Sequence, residues 1–393
     1  MEPLLEEAQW RKLGPAKISG TIADAELNYG SFLDAVIEAR PEPNGASQDG
    51  EAGDNADSPR LPRDRLGTQT WIGVGPDGFE YEIEVPTAAL DQIGRIAELH
   101  GFNEGWRPEG APDDDDHLDG PAPEHIEPSL TQGRPQIAGW SNGIDSRVRY
   151  GDNRAFPTAA IGNMGGCSGV LVGSRHVLTA AHCLYDLKNG VWASSMPTFD
   201  PNGATSPASS GSYWRFTPAE FRYAGQSMSH YEKYDYGIFV LNERLGNQTG
   251  WLGYVATSQS TVTSSPVLRN KGYPLCDIEA AIGEDRNNEP ANCVDNAMYG
   301  DSGTCWAGDF SKVGPDGWYS NFQVGCDNSA GHSGGPLYMR WENGDWVVAG
   351  VVSYETCARC SSSDHRPNGV RRVTPDVLNW ISYFRFTKSS TRE

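Results

Sequence analysis

Hydrophobic and polar positions along this chain follow two periods, which divide it into regions of different texture. Residues 22–40 carry Tyr29, Phe32, Leu33, Val36 and Ile37 at helical spacing. In TWIGVGPDGFEYEIEVP, Phe79, Tyr81, Ile83 and Val85 alternate with Glu80, Glu82 and Glu84. That alternation predicts a half-buried strand, with GPDG before it as a hairpin turn. Leu90, Ile93, Ile96 and Leu99 then return to helical spacing, so the front of the chain reads as a small α+β region. After residue 136, short apolar runs (CSGVLVG, HVLTAA, YGIFVL, WVVAGVVSY) are separated by Gly, Asn and Ser clusters. This predicts a mainly β barrel or sandwich. Val373, Val377, Leu378, Ile381 and Phe384 predict one closing helix, with Pro375 in a first turn that tolerates it.

Composition sharpens the division. Residues 41–68 and 106–135 are rich in Pro, Gly, Asp and Ser and read as linkers; the Asp run 113–116 is read as a solvated segment rather than a calcium site. Of the 393 residues, 1–135 hold 28 Asp and Glu against 10 Lys and Arg, a net charge of −18, while the remainder holds 24 acids against 21 bases. A front this acidic and a nearly neutral remainder argue against nucleic acid as a partner. No apolar run approaches the length of a membrane span, so no membrane partner is expected. The first residues lack the basic start and apolar core of a signal peptide. All eight cysteines follow residue 166, which suggests disulfides and an oxidising compartment, hence a secreted, extracellular protein. CARC at 357–360 is the only Cys-x-x-Cys and has no second half, so no metal site and no cofactor are expected.

The candidate chemistry begins at CDNSAGHSGGPLY, residues 326–338, where Gly331, Gly334 and Gly335 surround Ser333. One reading is a tight turn before a strand. The other is a nucleophile whose oxyanion hole is made by the backbone amides of Gly331 and Ser333. A serine hydroxyl needs a base. HVLTAAHCLYD offers His182, preceded by small residues and followed by Cys183, which can pin the segment to Cys167. EKYDYGIFVL offers Asp235 at the mouth of an apolar strand, as the carboxylate that fixes the imidazole tautomer.

The order His, Asp, Ser, together with TAAHC, DYGIFVL and GHSGGP, resembles the trypsin/chymotrypsin-like serine endopeptidases, over roughly residues 137–386. Around the nucleophile, KGYPLCD and CDNSAGHSG look closer to the glutamyl-endopeptidase-like branch. The resemblance implies two six-stranded antiparallel β-barrels with the site between them and a C-terminal helix. It implies a protease domain over 136–393 and a peptide or protein substrate. It implies Ser353 bonding Asp235, and a substrate pocket drawn from Asp327, Ser353, Tyr354, Glu355 and Gly369. It also implies disulfides Cys167–Cys183 and Cys305–Cys326, with Cys276–Cys293 and Cys357–Cys360 completing the set.

Departures from the pattern matter. His332 stands where trypsins carry the aspartate that captures a new N-terminal ammonium, so activation must differ. Asp327, in the place of the trypsin pocket aspartate, favours cleavage after Arg or Lys, whereas some glutamate-specific relatives also carry an acid there and use a histidine where this chain has Val352. Glutamate specificity is the alternative. From another functional class, a catalytically silent protease-like binding module is disfavoured because both Ser333 and His182 are retained. Residues 1–135 are read as an intramolecular prosegment or accessory region, with an independent tethered domain as the competing view. Because the pocket is itself acidic, this front is expected beside the cleft rather than in it.

Overall fold

The computed structural model describes residues 8–29, 67–111, 147–150, 155–193, 198–201, 212–223, 226–276, 293–301, 303–313, 318–354 and 368–388. Most of both predicted linkers, and the predicted helical positions Phe32 to Ile37, lie outside them.

Among the described residues the fold is mainly β, with two large sheets. The first runs, in spatial order, β1 (Gln9–Pro15), β3 (Phe79–Pro86), β2 (Thr68–Val74), β11 (Ser212–Pro218), β12 (Gly237–Leu241), β7 (His176–Thr179), β6 (Ser168–Leu171), β5 (Ile161–Asn163) and β10 (Asp200–Pro201). The second runs β16 (Ala307–Val313), β17 (Tyr319–Val324), β20 (Asn368–Arg372), β19 (Trp346–Tyr354), β18 (Pro336–Arg340), β14 (Leu268–Gly272), β15 (Met298–Asp301) and β4 (Arg147–Tyr150), with β13 (Gly253–Tyr254) beside β19. A small hairpin joins β8 (Tyr185–Asp186) to β9 (Val191–Trp192). Residues 161–241 thus supply six consecutive neighbours of the first sheet, and the front of the chain adds three more.

That addition is the main difference from the sequence reading. The predicted strand is present as β3, and its alternation buries Ile83 and Val85 completely. Yet β2 pairs antiparallel with β11, Trp71 opposite Pro218 and Val74 opposite Arg215, so these front strands continue the first sheet. The linker ends shift for the same reason: Thr68 already belongs to β2, and Trp106 bridges to Trp251 and stacks on it at 4.9 Å.

The helix Pro375–Thr387 starts with Pro375 in its first turn, as predicted. Its burial is broader than one apolar stripe requires, because the helix Thr87–Leu99 covers its far side. Asp376, Asn379 and Ser382 are buried with the apolar positions, and Asn379 donates to Asp91 at 2.9 Å. Trp71, Trp380, Phe216 and Phe384 lock front, barrel and helix together, with Trp71 and Trp380 4.9 Å apart and Phe216 stacked on Phe384 at 4.2 Å. Burying each such ring contributes on the order of 2–3 kcal/mol. Among the described residues no helix is long and apolar enough to cross a membrane.

Candidate active site

Two neighbouring strands deliver the first two side chains. Antiparallel pairing sets Gly237 of β12 opposite Thr179 of β7. Asp235, just before β12, and His182, just after β7, therefore emerge at the same end of the pair. Ala180 and Ala181 are fully buried, so small side chains let this turn sit against the barrel. The Cys167–Cys183 disulfide ties the turn beside His182 to the start of β6. His182 Nδ1 lies 2.8 Å from Asp235 Oδ2, and the backbone N–H of His182 donates to Oδ1 at 3.0 Å. Ser353 Oγ donates to the same Oδ2 at 2.6 Å. The fully buried Asp235 thus has its charge met on three sides, the condition under which a buried carboxylate is tolerable.

Ser333 comes from the loop before β18. His332 N–H donates to Ser329 O, Gly335 N–H to His332 O, Gly334 N–H to Val352 O, and Ser168 N–H to Ser333 O, so the loop is braced on both sheets. Gly331 adopts φ +93°, and a Cβ there would fall 2.4 Å from Tyr273 O. Only glycine meets both conditions. Its amide is thereby turned inward.

That amide finds a carboxylate. Gly331 N–H donates to Glu26 Oε1 at 3.1 Å, and Ser333 Oγ donates to the same oxygen at 2.8 Å. His182 Nε2 lies 2.7 Å from Glu26 Oε2. Tyr29, one helical turn further on, stacks on the His182 ring at 4.1 Å with planes 7° apart. The sequence reading missed Glu26. Its signal was present: Ile22, Ala25 and Tyr29 are buried and form one stripe with Glu26, a lone acid at a core position of a helix covering residues 22–29.

The expectation that an acidic front would avoid the cleft is therefore corrected. The acid does not meet the carboxylate of Asp327; it meets an imidazole, a hydroxyl and an inward amide, all able to donate to it. Burial pushes against a charge on His182, but the carboxylates of Asp235 and Glu26 outweigh it and raise this imidazole from 6.5 to about 10. The ring is an imidazolium held between two carboxylates at neutral pH.

His332 behaves oppositely. It is fully buried; desolvation, then the charge of Arg147, lowers it to about 3. Its Nδ1 faces Ser329 O at 3.3 Å, and Arg147 Nη1 donates to Ser329 Oγ at 2.7 Å. A neutral ring braced in this way offers no anion to an incoming ammonium.

Of the predicted pocket residues, Ser353 faces Asp235. Asp327 is buried, and its backbone N–H donates to both carboxylate oxygens of Asp301 at 3.2 Å, an acid that the sequence reading did not single out. Gly369 lies in β20 opposite Tyr354, the last residue of β19. Glu355, Cys357 and Cys360 lie outside the described residues. The pairs Cys167–Cys183, Cys276–Cys293 and Cys305–Cys326 are formed.

Two groups of metal-capable side chains converge among the described residues, Glu26–Cys167–His182–Cys183 and Asp301–Cys305–Cys326. Every cysteine in them is disulfide-bonded. Glu26 and His182 remain in one group and Asp301 in the other, short of the three protein ligands of a catalytic zinc site.

A glutamyl endopeptidase of Bacillus licheniformis is 35% identical over 139 residues, 34% of this chain and 41% of that protein. An extracellular metalloprotease of Bacillus subtilis is 28% identical over 259 residues, 62% of this chain and 68% of that protein. The chain thus spans less than half the length of the first relative. Among solved structures, a Glu endopeptidase in complex with MPD matches with a TM-score of 0.45 at 17% identity, covering 63% of this chain and 99% of that one. The protease Anisep from Arthrobacter nicotinovorans matches with a TM-score of 0.36 at 19% identity, covering 60% of this chain and 97% of that one. The trypsin family model matches residues 149–381, more than half of the chain and a span that holds His182, Asp235 and Ser333, so the chain belongs to the trypsin family.

Proposed function

We propose that this chain is a secreted serine endopeptidase in which Ser333 is the nucleophile, His182 the general base and acid, and Asp235 the group that orients the imidazole. The observation that carries this reading is convergence. One carboxylate lies within hydrogen-bond distance of Ser333 Oγ, His182 Nε2 and the Gly331 amide at once, so the three groups surround a volume the size of a reacting carbonyl. With a peptide there, Oγ attacks the carbonyl carbon and its proton passes to Nε2. The amides of Gly331 and Ser333 receive the developing oxyanion. Nε2 then returns the proton to the leaving amine as the C–N bond breaks, leaving an acyl-enzyme. Water, deprotonated by the same nitrogen, releases the acid and restores Ser333.

The side chain preceding the cleaved bond is proposed to be Arg or Lys, held by Asp327 in a partly desolvated pocket. The glutamyl endopeptidase relative favours glutamate as the second reading. The relative named as a metalloprotease raises metal-dependent hydrolysis, which the donor sets described above do not fit. Secretion is supported by three formed disulfides and by the extracellular relative.

Tandem mass spectrometry after prolonged reaction with a fluorophosphonate tests the assignment. The adduct is expected on Ser333, and an adduct only elsewhere overturns it. A peptide-library profile is expected to show cleavage after Arg and Lys; cleavage after Glu selects the second reading. Activity is expected to survive EDTA, and its loss would point to a metal.

A further inference from the structure

We propose that Glu26 is a built-in inhibitor of this site, its carboxylate seated where the substrate's oxyanion would form, so that the full chain is latent until residues 22–29 leave the cleft. The inference rests on the serine-hydrolase reading above and adds to it a regulator and the residue that exerts it.

Glu26 Oε1 accepts from the Gly331 amide and from Ser333 Oγ, while Oε2 meets His182 Nε2. A carboxylate presents negative oxygen to donors arranged for an oxyanion. It has no leaving group, and its carbon is a poor target for a serine oxygen. The enzyme therefore binds it without turning it over. The general base is silenced by the same contact, because Nε2 is engaged and cannot take the Ser333 proton.

The segment arrives as a helix, which offers a side chain to Ser333 and withholds its peptide bonds. A reciprocal cap fixes the helix start: Thr21 N–H and Oγ1 donate to Asp24 Oδ2, and Asp24 N–H donates to Thr21 Oγ1 at 3.0 Å. Its first turn lies against Gly166, where a Cβ would fall 2.4 Å from Ala23 Cα. Asn28 donates to Asp186 Oδ2 at 2.8 Å, and Trp192 N–H donates to Lys17 O at 2.9 Å. Glu26 is only 8% exposed. A buried acid so fully matched by donors is a built contact, since an unmatched one would be costly.

The experiment compares fluorophosphonate labelling rates of the full chain as wild type, Glu26→Ala and Glu26→Gln, with Glu26→Ala/Ser333→Ala as the control. The Gln variant keeps the shape of the helix face and guards against a folding defect in the Ala variant. Wild type is expected to label at least about tenfold more slowly than either variant, the factor being the ratio of closed to open chains. The control should not label. If wild type labels on Ser333 as fast as both variants, the inhibitory role is overturned and the hydrolase reading stands. If none of the chains carries an adduct on Ser333, the hydrolase reading fails and takes this inference with it.

Discussion

Glu26 and His182 meet at 2.7 Å through Oε2 and Nε2, on the edge of the ring opposite Asp235. The imidazole is thereby clamped between two carboxylates and raised to about 10. A raised histidine stabilises the state that raises it fully below its ordinary 6.5, and the stabilisation is lost as pH climbs through about 10. Imidazole NMR of the full chain is therefore expected to show His182 still protonated at pH 8. In Glu26→Gln, with one carboxylate gone, the protonated form should disappear at a lower pH. Equal titration of the two chains would show that Glu26 does not reach the ring.

The acid limb of stability has a different source. His176 is fully buried, and desolvation, followed by the charges of Arg385 and Arg175, lowers it to about 3; His332 is lowered to a similar value. Groups kept neutral in this way stabilise the fold fully above 6.5, and the contribution is lost as pH falls from 6.5 toward 3. Between those limits each contributes a slope of about 1.4 kcal/mol per pH unit. Denaturant titrations from pH 6 to pH 4 should show His176→Gln with a slope shallower by about that amount. An unchanged slope would mean that His176 is not buried neutral.

Gly94 tests whether the front of the chain is docked on the C-terminal helix. Alanine in a helix interior normally stabilises by about 1 kcal/mol over glycine. Here its Cβ would fall 1.7 Å from Asn379 Oδ1. Gly94→Ala is expected to destabilise by about 1–3 kcal/mol, as overpacking does. In an Asn379→Ala background the same change should become stabilising. Stabilisation in both backgrounds would contradict the helix contact.

What the sequence disclosed depended on range. The alternation from Phe79 to Val85 marked β3, because one covered face imposes a period of two on the strand itself. Its attachment to the barrel was hidden, because pairing of β2 with β11 joins residues far apart and leaves no local period. The C-terminal stripe from Val373 to Phe384 was legible, but the burial of Asn379 depends on a second helix. Leu99, at the same helical spacing as Leu90 and Ile93, is 79% exposed in the last turn of that second helix. His182, Asp235 and Ser333 were found because local strings carry them. Glu26 was overlooked because a region's net charge averages away the one acid that lies on an apolar stripe.

The most direct test of the account is kcat/KM for peptide hydrolysis by Glu26→Ala, compared with Glu26→Ala/Ser333→Ala, both as full chains. With the cleft opened, removing the Ser333 hydroxyl is expected to lower hydrolysis by on the order of a million-fold while the melting transition is retained. A double variant that keeps more than about a hundredth of the single variant's activity, far above what loss of a nucleophile permits, would contradict the assignment of Ser333.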